Sequence, residues 1–456
     1  MKKMIRWGLA VVCAMTGAAS VMAQGDGGPL IDALVKKGVL SSQEGEEIRA
    51  DMTADLAATP GGMISWGSSA VKGVKIYGDA RVRYQYDNNI QNNQIADEDR
   101  SRSRYRYRVR LGADYKFAEN WNAGVRLETT ASQTSTNSDT NGFFNKANGQ
   151  DEARFGLYYL QYAANDPSVF GFSFADSVQL DFGKHAHPYY FNGVNGFLWD
   201  SDVNPEGFSQ SLGWKDVGVS GLNITTRAGQ YVIFSNDGQA AETAVTSEDD
   251  QFLFVAQLEA AYKINSDVNL KVAPLVLAQT GGRANASAGG GTLAGAEVNN
   301  LGQGDGTTLE DVLVFAIPAE INWKMWNQGF RGYATYGINL NGRERSDALT
   351  GVGINESYGQ LFNVGMTMGR VRNKGSWDVT AEYRYVEEAA YTQFLGDSDF
   401  NGGQPGHHGF IVSSGYAFTD NIQGRVTYFN SENINPNTTL TSGQDQVLQV
   451  DLAWRF

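Results

Sequence analysis

Four arginines stand two residues apart in the stretch from Arg104 to Phe117, which reads RYRYRVRLGADYKF. The residues between them are aromatic or aliphatic, so the basic groups all fall on one parity of the chain. A row of guanidinium charges attracts and orients small charged or dipolar solutes when water can reach it. The chemistry that this pattern predicts is therefore electrostatic selection of solutes.

Motifs for catalysis or metal binding are missing from the sequence. It contains neither a Gly-x-Ser-x-Gly elbow nor a His-Glu-x-x-His motif. Its four histidines form two pairs, His185 with His187 and His407 with His408, without carboxylates at metal-ligand spacing. We predict no catalytic residue, no metal and no cofactor. The net charge of -14 also argues against a general nucleic-acid binder.

The element that carries the arginines is predicted to be a β-strand with one charged face and one apolar face, because the pattern repeats every two residues. An arginine on the lipid face of a membrane barrel costs about 2 to 4 kcal/mol near the midplane, so the row must face the lumen. The segments before and after this strand repeat the alternation. The predicted basic wall comprises Arg81, Arg83, Arg104, Arg106, Arg108, Arg110 and Arg126.

The whole chain from 71 to 456 follows the same scheme. About sixteen strand candidates alternate short and long connections, and no apolar stretch after the leader reaches the ~18 residues of a membrane helix. A soluble β-sandwich has no reason to combine this loop alternation with an aromatic outer face. We predict an all-β fold, an antiparallel transmembrane β-barrel embedded in outer-membrane lipid. Pro274 and Pro318 fall inside predicted strands and leave the boundaries there open.

The N-terminus indicates export to the bacterial outer membrane. Residues 1–23 combine a basic start, an apolar run and a small-residue cleavage site ending at Ala23. The only cysteine, Cys13, lies in this predicted signal peptide, so the mature chain has no disulfide. Residues 24–70 are predicted to form a short periplasmic helical segment and a linker. This segment is either an ordered lid or linker under the barrel, or a coiled-coil stem that joins barrels into the homotrimer we expect.

The C-terminus carries a second signal. The last ten residues, VLQVDLAWRF, alternate in parity and end on Phe456. This looks like the terminal signature of outer-membrane barrels that the barrel assembly machinery recognises. We therefore assign Trp454 and Phe456 to assembly.

The segment FGKHAHPYYFNGVNGFLWDSDVNPEGFS, residues 182–209, carries the most specific motif. With the helical segment, it resembles the putative porin family, in which a strand ends in a basic residue and opens a loop with Leu-Trp-Asp and Asn-Pro-Glu-Gly. The resemblance implies an outer-membrane porin that gives passive diffusion of small hydrophilic solutes or ions, with this third external loop folded into the pore. The corresponding residues here are Lys184, Trp199, Asp200, Asp202 and Glu206.

The acidic residues of this loop would then face the basic wall across a constriction, and the arginines would give the pore a preference for anions. Two alternatives stay open for these charges. The loop acids could be solvent-exposed or bind a cation weakly, and Glu128, Asp114 and Asp79 could neutralise the arginines internally. Other functions also stay open: a barrel with a structural or anchoring role, and, less favoured, an outer-membrane enzyme. An active-transport receptor is disfavoured because the chain has too few strands and no plug domain.

Overall fold

The computed structural model describes residues 73–89, 100–130, 138–139, 152–169, 172–234, 251–280, 312–326, 328–344, 358–392, 395–434 and 444–456. The predicted leader and the helical segment 24–70 lie outside the described residues. No helix in the described ranges is long and apolar enough to span a membrane.

Sixteen antiparallel strands form a closed barrel, as the sequence predicted. Each strand pairs with its neighbours in the chain, and the first pairs with the last. Gly78 and Phe456 exchange two backbone hydrogen bonds of 3.1 Å at this closure. The strands are β1 Val74–Asn89, β2 Arg100–Ala118, β3 Trp121–Thr130, β4 Glu152–Asn165, β5 Ser177–Lys184, β6 Glu206–Trp214, β7 Leu222–Phe234, β8 Gln251–Lys263, β9 in two parts, Asn269–Val272 and Leu275–Thr280, β10 Val312–Met325, β11 Gln328–Asn339, β12 Gln360–Gly369, β13 Trp377–Val386, β14 His407–Ala417, β15 Ile422–Asn433 and β16 Gln444–Arg455.

Short elements of secondary structure also lie in the connections between the barrel strands. Ser138–Asp139 pairs with β2, and Ser168–Val169 pairs with Phe172–Ser173 in the connection between β4 and β5. Asn401–Gly403 forms a 3₁₀ turn before β14.

The alternation along the strands sorts side chains to the two faces of the wall. On β2, Tyr105 is 57% exposed and Leu111 is 49% exposed, whereas Arg108 on the other parity is 8% exposed. The apolar parity therefore faces outward, where lipid would lie, and the charged parity faces the interior.

The two prolines within predicted strands lie opposite each other. Pro274 interrupts β9 between its two parts, and Pro318 stands in β10 facing that interruption, where its carbonyl accepts a 2.8 Å bond from the N–H of Ala273. Because each proline lacks an N–H, placing both at one break confines the loss of ladder bonds to one site.

An apolar core lies inside the barrel, against one half of its inner wall. Inward residues of β8 to β10 such as Leu253, Leu277 and Val314 are fully buried. The long connections after β5 and β13 complete this lumenal core. Its buried members are Tyr189, Phe197, Leu198, Trp199, Tyr231, Leu253, Val255, Leu275, Leu277, Val312, Val314, Ala316, Leu361, Ala390, Tyr391 and Leu395.

Tyrosine rings fill the space above inward glycines on the opposite half of the wall. A Cβ on Gly124 of β3 would lie 2.3 Å from Cζ of Tyr159, and one on Gly112 of β2 would lie 2.3 Å from Cζ of Tyr77. The hydroxyl of Tyr159 donates a 2.8 Å hydrogen bond to Asp114, which fixes the ring in place.

We expect Gly124→Ala to lower the free energy of unfolding by about 1 to 3 kcal/mol, because the methyl group displaces the hydrogen-bonded ring of Tyr159. Gly329→Ala is the matched control, since nothing lies within 4 Å of a Cβ at that strand position. The stability of each variant is measured as the temperature at which its compact, heat-modifiable form is lost on gels. Equal stability of the two variants would contradict the packing argument, and Tyr159→Ala should relieve the penalty of Gly124→Ala.

Candidate functional site

The seven arginines of the basic wall lie on the inner faces of β1, β2 and β3. At least six of them form ion pairs with acidic side chains on the same strands, on β16 or on the long connections, and Arg106 donates a 3.0 Å hydrogen bond to Gln85. The closest N–O distances are 4.0 Å for Arg81–Asp451, 2.7 Å for Arg83–Asp451, 3.1 Å for Arg104–Asp87, 3.2 Å for Arg108–Asp202, 2.6 Å for Arg110–Asp79 and 2.5 Å for Arg126–Glu128.

Asp79 and Asp202 hold the centre of this wall together. Asp79 accepts from Arg110 at 2.6 Å and from Arg108 at 3.3 Å. Asp202 approaches the same two arginines from across the lumen, at 3.2 Å and 3.5 Å. Two arginines thus share two carboxylates, one from their own wall and one from the connection after β5.

The ion pairs agree in part with one alternative from the sequence, in which Glu128, Asp114 and Asp79 neutralise the arginines internally. Asp79 and Glu128 pair with arginines of the wall, whereas Asp114 accepts a hydrogen bond from Tyr159 and, within the described part of the chain, forms no ion pair with the seven arginines. Internal pairing therefore reduces the charge of the basic wall at two of the three predicted positions.

The connection of residues 185–205, which we call the third long connection, runs along the inside of the barrel. Its backbone at Tyr190 exchanges two 2.8 Å hydrogen bonds with Gln257 of β8. The Asn192 amide donates to backbone carbonyls of β10 and β11, and the N–H of Val194 donates to Glu382 of β13 at 2.6 Å. From there the chain reaches Asp202, beside β2.

Gly183 sets the direction in which this connection leaves β5. Its φ is +96°, and a Cβ there would lie 2.6 Å from the carbonyl oxygen of Tyr158. Both observations restrict the position to glycine. The chain turns inward immediately afterwards, and His185, two residues further on, is only 2% exposed.

An aromatic cluster anchors the third long connection to the lumenal core. Trp199 is 1% exposed, donates a 2.8 Å hydrogen bond to the carbonyl of Val203, and packs against the rings of His187, Phe191 and Tyr231 at centroid distances of 5.1 to 6.0 Å. Burial lowers the pKa of His187 to about 4, so this ring is a neutral packing residue at physiological pH.

Asp200 joins the third long connection to the connection of residues 387–406, which we call the seventh long connection. Its carboxylate accepts from the N–H and the hydroxyl of Ser398, at 3.2 and 3.3 Å, and its own N–H donates to the carbonyl of Leu395 at 2.8 Å. Burial, together with the nearby charges of Asp202 and Asp399, raises the pKa of Asp200 to about 6.

The seventh long connection brings two further carboxylates to this place. Asp399 lies 3.3 Å from Arg83 of the basic wall, and this arginine holds the pKa of Asp399 below its usual range. Asp397 forms a 2.8 Å pair with Arg384, a β13 side chain only 2% exposed that also pairs with Glu382 at 2.8 Å. We call Asp200, Asp202, Asp397 and Asp399 the acidic edge.

Arg384 is the centre of the contact between the two connections. Its guanidinium also donates to the carbonyl of Val194 and lies over the ring of Phe400 at 5.3 Å. A buried cation of this kind is stable only with its partners in place, so Arg384 ties the positions of both connections to β13.

The structure does not bring Lys184 and Glu206 to the acidic edge. They pair in register at the start of the third long connection and share a face with Tyr158, which is 41% exposed on the outside of the barrel. Glu206 accepts a hydrogen bond from the Tyr158 hydroxyl. Both charges thus lie on the outer surface rather than in the lumen. The rings of Trp454 and Phe456 also lie at the outer surface, 4.7 Å apart.

Several residues of the interior were missed at the sequence level, among them Asp451, Asp399 and Arg384. Asp451 could have been found, because it stands on the inward parity of the C-terminal strand. Asp399 could not, since no strand parity applies to a long connection. Arg384 stands on the inward parity of β13, but nothing in the spacing predicts that loop residues cover it.

A cavity of about 790 Å³ lies between the basic wall, Val194 and Asn195 of the third long connection, and the inner faces of β10 to β16. Nine basic and five acidic side chains line it. Two further carboxylates, Asp202 and Asp399, pair with three of these arginines, so the positive excess around the cavity is two charges. The basic ones are Arg81, Arg83, Arg108, Arg110, Lys324, Arg331, Arg370, Arg425 and Arg455, and the acidic ones are Asp79, Asp267, Glu320, Asp378 and Asp451.

Comparisons with known proteins agree with this architecture. The model of the putative porin family matches residues 68–288 and 330–456, well over half of the chain. No curated protein sequence matches this chain.

Among solved structures, OprB of Pseudomonas putida is similar at 10% identity and a TM-score of 0.51, over 86% of this chain and 97% of that one. The outer membrane channel DcaP of Acinetobacter baumannii is similar at 10% identity and a TM-score of 0.45, over 86% and 100% of the two chains. OmpF of Salmonella typhi is similar at 13% identity and a TM-score of 0.44, over 84% and 97%. At such identities the likeness to OprB concerns the barrel fold alone.

The family match covers both the barrel strands that carry the basic wall and the third long connection that faces them. The chain belongs to the putative porin family, and it forms an outer-membrane channel for small solutes.

Proposed function

We propose that this protein is a passive diffusion channel that is narrowed by the third long connection and that prefers anions. The observation that carries the preference is the unequal charge of the cavity, with nine basic and five acidic lining side chains. Small hydrophilic anions are stabilised in such a cavity, and cations are disfavoured.

Support for the narrowing comes from the contacts of the third long connection. It is hydrogen bonded to β8, β10, β11 and β13, and its Asp202 reaches the arginines of β2. A segment held on both sides of the lumen leaves solutes to pass beside it, through the charged cavity. Opposed charges there create a transverse field that favours dipolar and charged solutes.

The alternative is a barrel with a mainly structural or anchoring role. The lumenal core would then extend across the interior and stop conduction. The charged cavity favours the channel, because desolvating so many ionic groups for a purely structural purpose is unfavourable.

Several further features belong to the same proposal. The leader of residues 1–23 directs export, residues 24–70 lie in the periplasm, and the assembled unit is a homotrimer. The outward rings of Trp454 and Phe456, 48% and 38% exposed, are accessible for recognition by the barrel assembly machinery.

Planar bilayer recordings test the channel itself. We expect stepwise, weakly voltage-dependent conductance from the purified protein, and Trp199→Ala should raise the conductance and admit larger sugars. The substitution removes a fully buried indole, which costs about 3 to 5 kcal/mol of packing and loosens the third long connection.

The matched control is Trp326→Ala, since Trp326 is 79% exposed at a turn and touches no part of the lumenal core. If the folded wild-type protein did not conduct, the channel proposal would fail and the anchoring role would be the remaining explanation. Unchanged conductance in Trp199→Ala would contradict the narrowing by the third long connection.

Reversal potentials across a salt gradient test the anion preference. We expect the double variant Arg108→Ser/Arg110→Ser to lower the anion-to-cation permeability ratio by roughly twofold or more, and Asp202→Asn to raise it, because Asp202 neutralises the same two arginines. Both effects should weaken in concentrated salt, since screening acts over ~10 Å at about 0.1 M. Lys215→Ser, at an exposed turn, is the control for loss of a positive charge. A ratio that does not differ among these variants would show that the arginines are neutralised internally.

The selectivity should also depend on pH through Asp200. Its pKa of about 6 means that the carboxyl is ionised at pH 8 and protonated at pH 5. Acidification therefore removes one negative charge from the acidic edge, and we expect anion preference to increase as the pH falls through 6. Asp200→Asn should show at both pH values the anion preference that the wild type has at pH 5. If Asp200→Asn keeps the wild-type pH profile, a group other than Asp200 causes the pH dependence and the prediction is wrong.

A further inference from the structure

The connection from β12 to β13, residues 370–376, folds inward over one mouth of the barrel. Its Val371 lies against the inner face of β14, where a Cβ on Gly415 would be 2.9 Å from the valine Cγ2 atom. Gly415 thus leaves the space that the valine side chain occupies. This mouth is formed by the short connections, which lie on the periplasmic side of outer-membrane barrels, and we call it the periplasmic mouth.

Hydrogen bonds fix this connection to its neighbours at the periplasmic mouth. The N–H of Ala417, at the end of β14, donates to the carbonyl of Ser376 at 2.9 Å. The Ser376 hydroxyl accepts a 2.7 Å bond from the N–H of Arg372. The N–H of Lys374 donates to Asp420, in the next short connection, at 2.8 Å. The backbone that carries Arg372 is therefore held in place beside the end of β14.

A pocket of about 340 Å³ lies between this connection, the connection from β14 to β15 and the end of β16. Arg370, Gln423 and Arg455 line both this pocket and the larger charged cavity, so the two are continuous. Arg455 also pairs in register with Asp79, which lines that cavity. The pocket therefore opens to the lumen rather than to lipid. Its volume is near the lower end of the range of roughly 300 to 1,000 Å³ for small-molecule sites.

The arginines of this pocket differ from those of the basic wall in their lack of acidic partners. The side chains of Arg370, Arg372 and Arg455 form neither an ion pair nor a hydrogen bond with any other described residue. One carboxylate, that of Asp420, lines the pocket with them, so three positive charges and one negative charge leave an excess of two. Guanidinium groups present several donors in one plane, a geometry that suits the oxygens of an oxyanion.

We propose that this pocket is a binding site for a small oxyanion that carries two negative charges. Such an anion matches the charge excess of two and accepts charge-assisted hydrogen bonds from more than one guanidinium at once. A compact monovalent ion such as chloride neutralises only one of the two charges. In the basic wall, carboxylates such as Asp79 already occupy the arginines, so an entering anion competes with them there. At the periplasmic mouth it meets arginines whose donors are not yet used.

Equilibrium dialysis of the purified, detergent-solubilised protein with labelled sulfate tests the site. Sulfate keeps both negative charges throughout the neutral pH range, and the ionic strength is held constant with a chloride salt. Arg370→Gln/Arg372→Gln and Arg455→Gln are the test variants. Lys215→Gln/Lys263→Gln is the matched control, because it removes two exposed positive charges near other short connections that line neither cavity. Each variant is first checked for the heat-modifiable barrel form.

We expect saturable binding of sulfate by the wild type, weakened about tenfold or more in the double arginine variant and in Arg455→Gln, and changed less than about twofold in the lysine control. Absence of saturable binding to the folded wild type would overturn the proposal. So would arginine variants that bind sulfate as well as the control does, or sulfate that chloride displaces equally well at the same ionic strength.

A further variant separates a built site from a diffuse positive surface. Ser376→Ala keeps all three arginines but removes the hydroxyl that holds the N–H of Arg372. We expect it to weaken sulfate binding about threefold or more, whereas attraction by net charge alone would be unchanged and would contradict the proposal.

Binding of sulfate does not require conduction, so this inference and the proposed channel fail separately. If the folded protein binds sulfate as expected but passes no current in planar bilayers, the channel proposal fails and the site stands. If the protein conducts with a preference for anions but shows no saturable binding of sulfate, the site fails and the channel stands.

Discussion

The interior of this barrel is organised by hydrophobic burial of the third long connection. A sixteen-strand barrel encloses more space than its own side chains fill, so a segment placed inside needs an apolar surface to rest on. The inward residues of β8 to β10 provide one, and Trp199, Leu198 and Phe197 are buried on it. Because these side chains remove their apolar area from water, the connection is held along one side. Its polar edge is then directed to the other side.

The charges of the interior follow from this arrangement. The arginines of β1 to β3 lie on the part of the wall that the lumenal core leaves uncovered, and they meet carboxylates of both long connections. A paired arginine keeps its charge while its field is partly cancelled, so the net excess around the cavity matters more than the number of arginines. Arg384 is different, because it is buried with two carboxylates and stabilises the contact between the connections rather than the solute path.

The fold could be predicted from the sequence because the period-two pattern and the loop alternation are local signals. The number of strands agrees with the predicted sixteen, and the break at Pro274 divides a strand that was predicted as continuous. Strand parity likewise placed Arg108 and Arg110 on the inner face. Lys184 and Glu206 were assigned to the lumen through the loop motif, although the parity of Phe182 and Phe208 places both on the outer face. Asp399 and Ser398 reach Asp200 only through tertiary packing, and no sequence spacing encodes a contact between connections about 200 residues apart.

The early end of β5 links the inner and outer features of the wall. Because the strand stops at Lys184 and the left-handed Gly183 turns the chain inward, the third long connection enters the barrel below the height that longer strands such as β2 reach. The same early end leaves the outer wall short and places charged residues where lipid would otherwise lie. A strand long enough to span the apolar band would bury neither His185 nor Trp199 at their present depth. The short strand is thus a common cause, since it leads into the segment that fills one side of the lumen and leaves Lys184 and Glu206 on the outer surface.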